Sequence, residues 1–363
     1  MKVIVKLDLD FPRENKVIEN YKFYKVYNNM EPRKILIASF SPLPESVIEA
    51  LFAPFSSEVN AKIEIIRLFD AEEKKIFETL EQADIVIGDH TFKMKITKKM
   101  VDHMKKIKLI QQPSTGYDHI DVVACAEKGI AVANAGGANA VSVAEYTIMV
   151  ALALLKRLFE ANNRVQQGEW PQWELMDKGT FDLANKTWGI IGLGRIGKEL
   201  AKRLVNFEVK VLYYDKVRQE DFEKKYNIEY RSLSRLLRES DIVSIHLPLT
   251  DETRKMITGK ELRSMKPSAI LINPSRGEIV DEEALARALS EKWIWGAAVD
   301  VYSQEPPSKD NPLLKLKDVN LITTPHIAGA NTDARLRIIE FSIRNIIRVI
   351  KGEKPEGVVN MQL

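Results

Sequence analysis

Residues 186–215 read KTWGIIGLGRIGKELAKRLVNFEVKVLYYD, and the reading of the rest of the chain depends on them. An apolar run, Trp188 to Ile191, enters a turn with Gly192, Gly194 and Gly197. Ile196, Leu200 and Leu204 then recur at helical spacing, and a second apolar run ends in Asp215. Strand, glycine turn, helix and strand in this order form the fingerprint of a dinucleotide-binding βαβ unit. Gly192 is expected to make the tight turn, and Gly194 to let the backbone approach a pyrophosphate. Gly197 is expected to let the helix pack on the sheet. The free N–H groups at the helix start, around Arg195 and Ile196, suit the phosphates. Asp215 stands 23 positions after Gly192, close to the usual offset of roughly 20, and suits the hydroxyls of an adenosine ribose. A 2′-phosphate would meet its negative charge, which favours NAD over NADP, although Lys216 and Arg218 nearby soften the repulsion.

The same strand–helix rhythm extends on both sides. Before the fingerprint, apolar runs at 35–38, 63–68, 84–88, 107–111 and 130–134 alternate with helical stretches at 44–52, 71–83, 96–105 and 122–129. After it, a strand-like piece near Tyr230 and runs at 241–246, 269–273, 296–301 and 320–323 alternate with helical stretches at 233–239, 251–257 and 281–290. A closing helix covers 331–350. Alternation of this kind means parallel sheets covered by helices, an α/β protein. An unusually apolar helix is expected from near Ser142 to Arg164, either internal or shared with a partner subunit. The tract after it holds Trp170 and Trp173 without clear periodicity. Residues 1–33 fit the rhythm less well, with a strand at Val3–Leu9 and a hairpin arm around Tyr21–Tyr27.

Composition narrows the function. The 363 residues are 45% apolar and 29% charged, enough for two well-filled domains. With 54 basic and 51 acidic side chains the net charge is only +3, and no aromatic-basic stripe points to nucleic acid. The longest apolar run, within 143–155, contains Glu145 and is too short to span a bilayer. The first residues, MKVIVKLDLD, carry charges unlike a signal peptide. A single cysteine, Cys125, excludes an intrachain disulfide framework. A cytoplasmic protein is expected. The five histidines, at 90, 103, 119, 246 and 326, are not spaced as zinc ligands on one helix, so no metal site is expected.

The polar residues with chemical promise follow the ends of expected strands, where open parallel sheets form their binding crevice. Arg276 follows the run 269–273, Asp300 ends the next, Glu305 lies just beyond it, and His326 follows the last. Transfer of a hydride at a carbinol carbon needs a base for the alcohol proton, and histidine suits that near neutral pH. A carboxylate beside the histidine favours its charged form and holds the ring. An arginine fork can grip a carboxylate or polarise a carbonyl.

The chain resembles the D-isomer-specific 2-hydroxyacid dehydrogenase family. The resemblance rests on STGYDHID (114–121), the run from Asn134 through VAEYT to Lys156, and GIIGLGRIG (189–197). It rests equally on HLPLT (246–250), INPSRGEIVDEEAL (272–285), GAAVDVYSQEP (296–306) and TPHIAGA (324–330). Together these motifs cover nearly everything from Lys34 onward.

The resemblance implies two Rossmann-like domains: a flavodoxin-like substrate domain and an inserted NAD-binding domain, with the active-site cleft between them. The substrate domain would comprise 1–139, with 1–33 as an extension, and the return 326–363. The cofactor domain would be 140–325. The implied activity is NAD-dependent interconversion of a 2-oxo acid and a D-2-hydroxy acid, with glyoxylate or hydroxypyruvate reduction favoured. D-lactate or 3-phosphoglycerate dehydrogenase is the alternative. Formate dehydrogenase is disfavoured because Glu305 stands where those relatives carry glutamine. An NAD-sensing corepressor is the alternative from another class.

Arg276 would bind the substrate carboxylate and carbonyl, His326 would move the proton, and Glu305 would pair with it. Backbone N–H groups of Thr115 and Gly116 would hold the carboxylate, with Asn134 facing the cleft. Asp300 would lie against the nicotinamide carboxamide. His246, Pro248 and Thr250 would border the adenosine side, and His119 would be structural. A homodimer through the cofactor domain is implied, with the helix 142–156, Trp170 and Trp173 at the contact.

Overall fold

A computed structural model of the protein describes residues 32–361. The expected strand at Val3–Leu9 and the hairpin arm at Tyr21–Tyr27 lie outside them. Among the described residues, five strands form the first sheet: β1 (Arg33–Ser39), β2 (Ala61–Arg67), β3 (Ile85–Ile87), β4 (Leu109–Gln111) and β5 (Ala131–Ala133). They lie in the order β2-β1-β3-β4-β5, and every pairing is parallel. The short inner strands are buried along their whole length, as expected of strands covered on both faces.

Seven strands form the second sheet. They are β6 (Thr187–Ile191), β7 (Lys210–Tyr214), β8 (Glu229–Tyr230), β9 (Ile242–Ile245), β10 (Ile270–Asn273), β11 (Gly296–Val299) and β12 (Leu321–Thr323). Their order, β8-β7-β6-β9-β10-β11-β12, is again wholly parallel. This is the doubly wound order with one added strand, and the first sheet has the flavodoxin-like order. Trp188, fully buried in β6, donates its indole N–H to Ser244 Oγ on β9 at 2.9 Å, so the largest core side chain carries no orphaned donor.

Helix packing sorts the chain between the sheets. Helix α1 (Glu45–Phe52) lays Ile48 and Phe52 on one face of the first sheet. The helix Thr332–Ile350 returns to that face with Ile343, Ile346 and Ile347. Helix α2 (Ala140–Leu155) is buried on nearly all sides and shares a core with Trp188 and Ile190 of the second sheet and with Leu200 of the helix that follows β6. Each sheet and its helices form one lobe.

Where local pattern and structure part, a tertiary contact explains it. The single helix expected from Ser142 to Arg164 breaks after Leu155, because Arg157 adopts a left-handed φ of 48° before α3 (Leu158–Gln166) begins. The Arg157 side chain donates to the carbonyls of Gly179 and Lys178, both at 3.1 Å, and lies 5.0 Å from the Trp295 ring centroid. These contacts offset a local backbone cost of about 1–2 kcal/mol. Residues 251–257, expected to be helical, form a hydrogen-bonded turn instead. There Thr253 Oγ1 donates to the Pro248 carbonyl at 2.7 Å, a side-chain bond that competes with helix formation. Short helices occupy Gln172–Asp177, called α4 below, and Glu220–Tyr226, where the sequence reading had only connecting tracts.

Strand order reverses direction between β1 and β3 in the first sheet and between β6 and β9 in the second. Such switch points open crevices beyond the carboxyl ends of the strands. The segments leaving both points line a single cavity of about 1100 Å³ between the lobes.

Candidate active site

The second lobe brings the glycine turn to this cavity. Gly192 has φ 98°, which disfavours any side chain. A Cβ there would also stand 2.7 Å from the His246 carbonyl oxygen at the facing switch-point strand. Helix α5 (Arg195–Leu204) follows at once, with Gly194 as its N-cap. No atom lies within 4 Å of where a Cβ on Gly194 would sit, so the helix start faces open space. Asp215, at the end of β7, turns Oδ2 back to accept the Leu193 N–H at 2.7 Å, tying the turn to the neighbouring strand.

Three loops after β10, β11 and β12 deliver Arg276, Glu305 and His326 to the cavity wall. His326 Nδ1 lies 2.7 Å from Glu305 Oε2, and Glu305 Oε1 accepts the Tyr302 N–H at 3.1 Å. Burial pushes the Glu305 carboxyl upward. The His326 hydrogen bond and charge, the Tyr302 N–H and the Arg276 charge outweigh it and hold the carboxyl below the usual range. With Nδ1 on Glu305, the Nε2 edge of the ring is left for chemistry.

His326 has φ 56°, an uncommon conformation for a side-chain-bearing residue. Asp300 holds it there. Its carbonyl accepts the His326 N–H at 2.8 Å, and its carboxylate accepts the N–H groups of Ile327 and Ala328, both at 2.8 Å. The Thr324 hydroxyl donates to the same carboxylate.

The first lobe contributes a rigid turn. Ser114 Oγ donates to the Gly116 carbonyl at 2.8 Å and accepts from Gln112 at 2.7 Å. Asn134 Nδ2 donates to the Thr115 carbonyl at 2.9 Å, and Thr115 Oγ1 donates to Asn139 at 2.6 Å. Thr115 and Gly116 therefore face the cavity on a turn pinned from three sides.

The model of the D-isomer specific 2-hydroxyacid dehydrogenase NAD-binding domain matches residues 148–328. A glyoxylate reductase of Korarchaeum cryptofilum is 40% identical over 80% of this chain and 86% of its own length. One from Thermofilum pendens is 44% identical over 74% of this chain and 79% of its own. The chain belongs to the D-isomer-specific 2-hydroxyacid dehydrogenase family. It is an NAD-dependent oxidoreductase that interconverts 2-oxo and D-2-hydroxy acids. Among solved structures, D-lactate dehydrogenase of Aquifex aeolicus, complexed with NAD and lactic acid, superposes with a TM-score of 0.72 at 32% identity. That match covers 88% of this chain and 96% of the other.

The residues of this dehydrogenase fit the dinucleotide. The bare Gly194 backbone and the start of α5 leave room for a diphosphate. Both ring nitrogens of His246, which lines the same cavity, are shielded from solvent and have no partner among the described residues. Burial pushes that imidazole down to about 3, so it is neutral and can accept or donate one hydrogen bond to a ligand.

Of the residues singled out from sequence, Thr115, Gly116, Asn134, Gly194, Arg195, Ile196, His246, Pro248, Arg276, Glu305 and His326 line the cavity. Gly192 and Gly197 lie beneath the turn, and Asp215 and Thr250 lie beyond the cavity. Asp300 is fully buried under the His326 loop, with both carboxylate oxygens engaged, and does not reach the cavity. His119 is buried against the edge of Phe92, with ring centroids 4.9 Å apart, and lies outside the cavity wall.

Three residues escaped the sequence reading. Asp118 binds Arg276, Asp89 buttresses the loop carrying Phe92, and Arg335 reaches the wall from the last helix. The signal for Asp118 was inside STGYDHID, but nothing local tells an acid that faces an arginine from one that faces water.

Proposed function

We propose that this enzyme reduces glyoxylate to glycolate, or hydroxypyruvate to the D-2-hydroxy acid, with NADH as electron donor. The reading rests on one observation: Arg276, the His326–Glu305 pair and the Thr115–Gly116 turn share a cavity with the glycine-turn helix. The glyoxylate reductases among its relatives support the small substrate.

Arg276 and the N–H groups of Thr115 and Gly116 bind the substrate carboxylate, and the arginine also polarises the ketone. When bound, nicotinamide supplies the hydride to the carbonyl carbon. His326 delivers a proton from Nε2 to the developing alkoxide, while Glu305 holds Nδ1 and stabilises charge on the ring. In oxidation the same nitrogen accepts the proton. Closure of the lobes excludes water and strengthens each of these contacts.

NAD is preferred over NADP in this reading. Asp215 presents a negative charge at the end of β7, and both neighbouring cations are already engaged. Lys216 pairs with Glu252, and Arg218 binds Glu223 at 2.9 Å. Neither is free to receive a 2′-phosphate.

The enzyme assembles as a homodimer through the face of α3 and α4. Helix α3 buries no side chain and leaves Leu158, Phe159 and Val165 exposed, while Trp170 is 79% and Trp173 67% exposed. A patch of this kind marks an interface. The single cysteine and balanced charge support a cytoplasmic setting, which cell fractionation would check.

The deciding experiment follows the loss of NADH, and separately NADPH, with glyoxylate, hydroxypyruvate, pyruvate, phenylpyruvate and phosphohydroxypyruvate. Fastest turnover of glyoxylate or hydroxypyruvate with NADH is expected, from a species with twice the 41.4 kDa chain mass by light scattering. Faster turnover of another acid would replace the substrate, and equal rates with NADPH would overturn the cofactor preference.

A further inference from the structure

Arg276 does not stand alone in the cavity. Two of the three nitrogens of its guanidinium are hydrogen-bonded. Nη1 donates to the Ser275 carbonyl at 2.7 Å, within its own loop. Nε donates to Asp118 Oδ2 at 2.8 Å, in the loop after β4 on the opposite lobe. Nη2 faces Gly116, so closely that a Cβ on that glycine would collide with it. The guanidinium carbon lies 5.9 Å from the Phe92 ring centroid, also on the opposite lobe. The Arg276 side chain is 25% and the Asp118 side chain 35% exposed, so the pair sits at the mouth of the cavity rather than deep within it.

We propose that Asp118 is the positioning residue of Arg276: it takes the Nε edge across the cleft, so that the Nη2 edge beside Gly116 is presented to the substrate carboxylate. The inference rests on the assignment of Arg276 as the substrate-binding arginine. An arginine side chain has much rotamer freedom to lose, and a fork already held needs less ordering when substrate arrives. The contact also has a directional consequence. A carboxylate next to an anionic substrate repels it unless its charge is matched, and the Nε contact matches it. Because its two halves belong to different lobes, the pair bridges the cleft, and seating of the arginine is tied to the relative placement of the lobes. A mere surface ion pair would leave the kinetics unmoved.

The test is a double-mutant cycle on the full-length enzyme, with Asp118→Ala, Asp118→Asn, Arg276→Ala and the double variant Asp118→Ala/Arg276→Ala. KM and kcat for the best oxo acid are read together with NADH affinity from nucleotide fluorescence. Asp118→Ala should raise KM for the oxo acid about tenfold or more, with NADH affinity within about twofold of wild type. Asp118→Asn keeps an acceptor for Nε but loses the charge, and should fall between the two. In the Arg276→Ala background, Asp118→Ala should have no further effect.

A crippled Arg276→Ala beside an unchanged Asp118→Ala would overturn the positioning role and leave the assignment of Arg276 standing. Additive losses in the double variant would also overturn it, because Asp118 would then act apart from the arginine. An active Arg276→Ala would remove the assignment and this inference with it. Should Asp118→Ala not fold, Asp118→Asn is read by the same criteria.

Discussion

Two charged pairs of almost equal length sit in the cavity, and they are built in opposite ways. His326 and Glu305 meet at 2.7 Å, 21 residues apart, on loops that leave neighbouring strands of one sheet. Arg276 and Asp118 meet at 2.8 Å, 158 residues apart, on loops of different lobes. The first pair depends only on the register of β11 and β12 and on the Asp300 clamp beneath the His326 loop. The second depends on how the lobes approach. Proton transfer is thus built into one rigid body, while substrate grip is divided between two. In such an arrangement the acid–base pair does not depend on how the lobes are placed, whereas the binding fork does.

This contrast is open to attack first at the rigid pair. His326→Ala should lower turnover by about 10² to 10⁴, with NADH affinity within about twofold, measured by steady-state kinetics and nucleotide fluorescence. Near-normal turnover would move the proton to another group and dissolve the contrast. Glu305→Gln leaves a neutral partner on Nδ1 and should lower turnover by about tenfold or more, with a smaller change in KM. A change confined to KM would mean that the two pairs share one function.

The smallest expected effect lies on the first lobe and sharpens what holds the cross-lobe pair. Asp89 is fully buried and accepts N–H bonds from Thr91 at 2.8 Å, Lys93 at 2.9 Å and Met94 at 3.0 Å. It fixes the loop that carries Phe92 to the face of the Arg276 guanidinium. Burial pushes its carboxyl upward, but the N–H groups of Met94, Thr91 and Lys93 and the Thr91 hydroxyl hold it below the usual range. A carboxyl lowered on folding contributes stability above its unfolded value of about 3.9. That contribution is lost as pH falls through the lower native value. Asp89→Asn should therefore cost about 1–3 kcal/mol at pH 7, seen as a lower Tm, and the gap to wild type should close below pH of about 4. KM for the oxo acid should rise by only about threefold, since the loop loosens while Asp118 remains. A gap that stays constant with pH would mean that the charge of Asp89 is not what holds the loop.

Much of this molecule could be read from local pattern alone. The run from Trp188 through Gly192 to Asp215 declares its strand, turn, helix and strand because apolar spacing and glycine chemistry act within a few residues. For the same reason every strand of both sheets among the described residues was visible as an apolar run, β8 only as a short piece near Tyr230. Arg276, Glu305 and His326 were visible as polar residues just past strand ends, where an open parallel sheet exposes its loops. The dinucleotide fingerprint and the order of motifs were enough to set the α/β class and the family.

Tertiary structure decided what local pattern cannot carry. The helix after Ala140 breaks at Arg157 because Trp295 and the carbonyls of Lys178 and Gly179, distant in sequence, reward a left-handed residue there. Asp300 stands at a strand end like its neighbours, yet turns inward to clamp the His326 loop, because three N–H groups and a hydroxyl converge on it. Asp118 becomes the partner of Arg276 only once two separately folded sheets face each other. Propensity and turn chemistry reach a few residues along the chain, whereas a contact across a cleft is set by the packing of whole lobes, and no short window of sequence contains it.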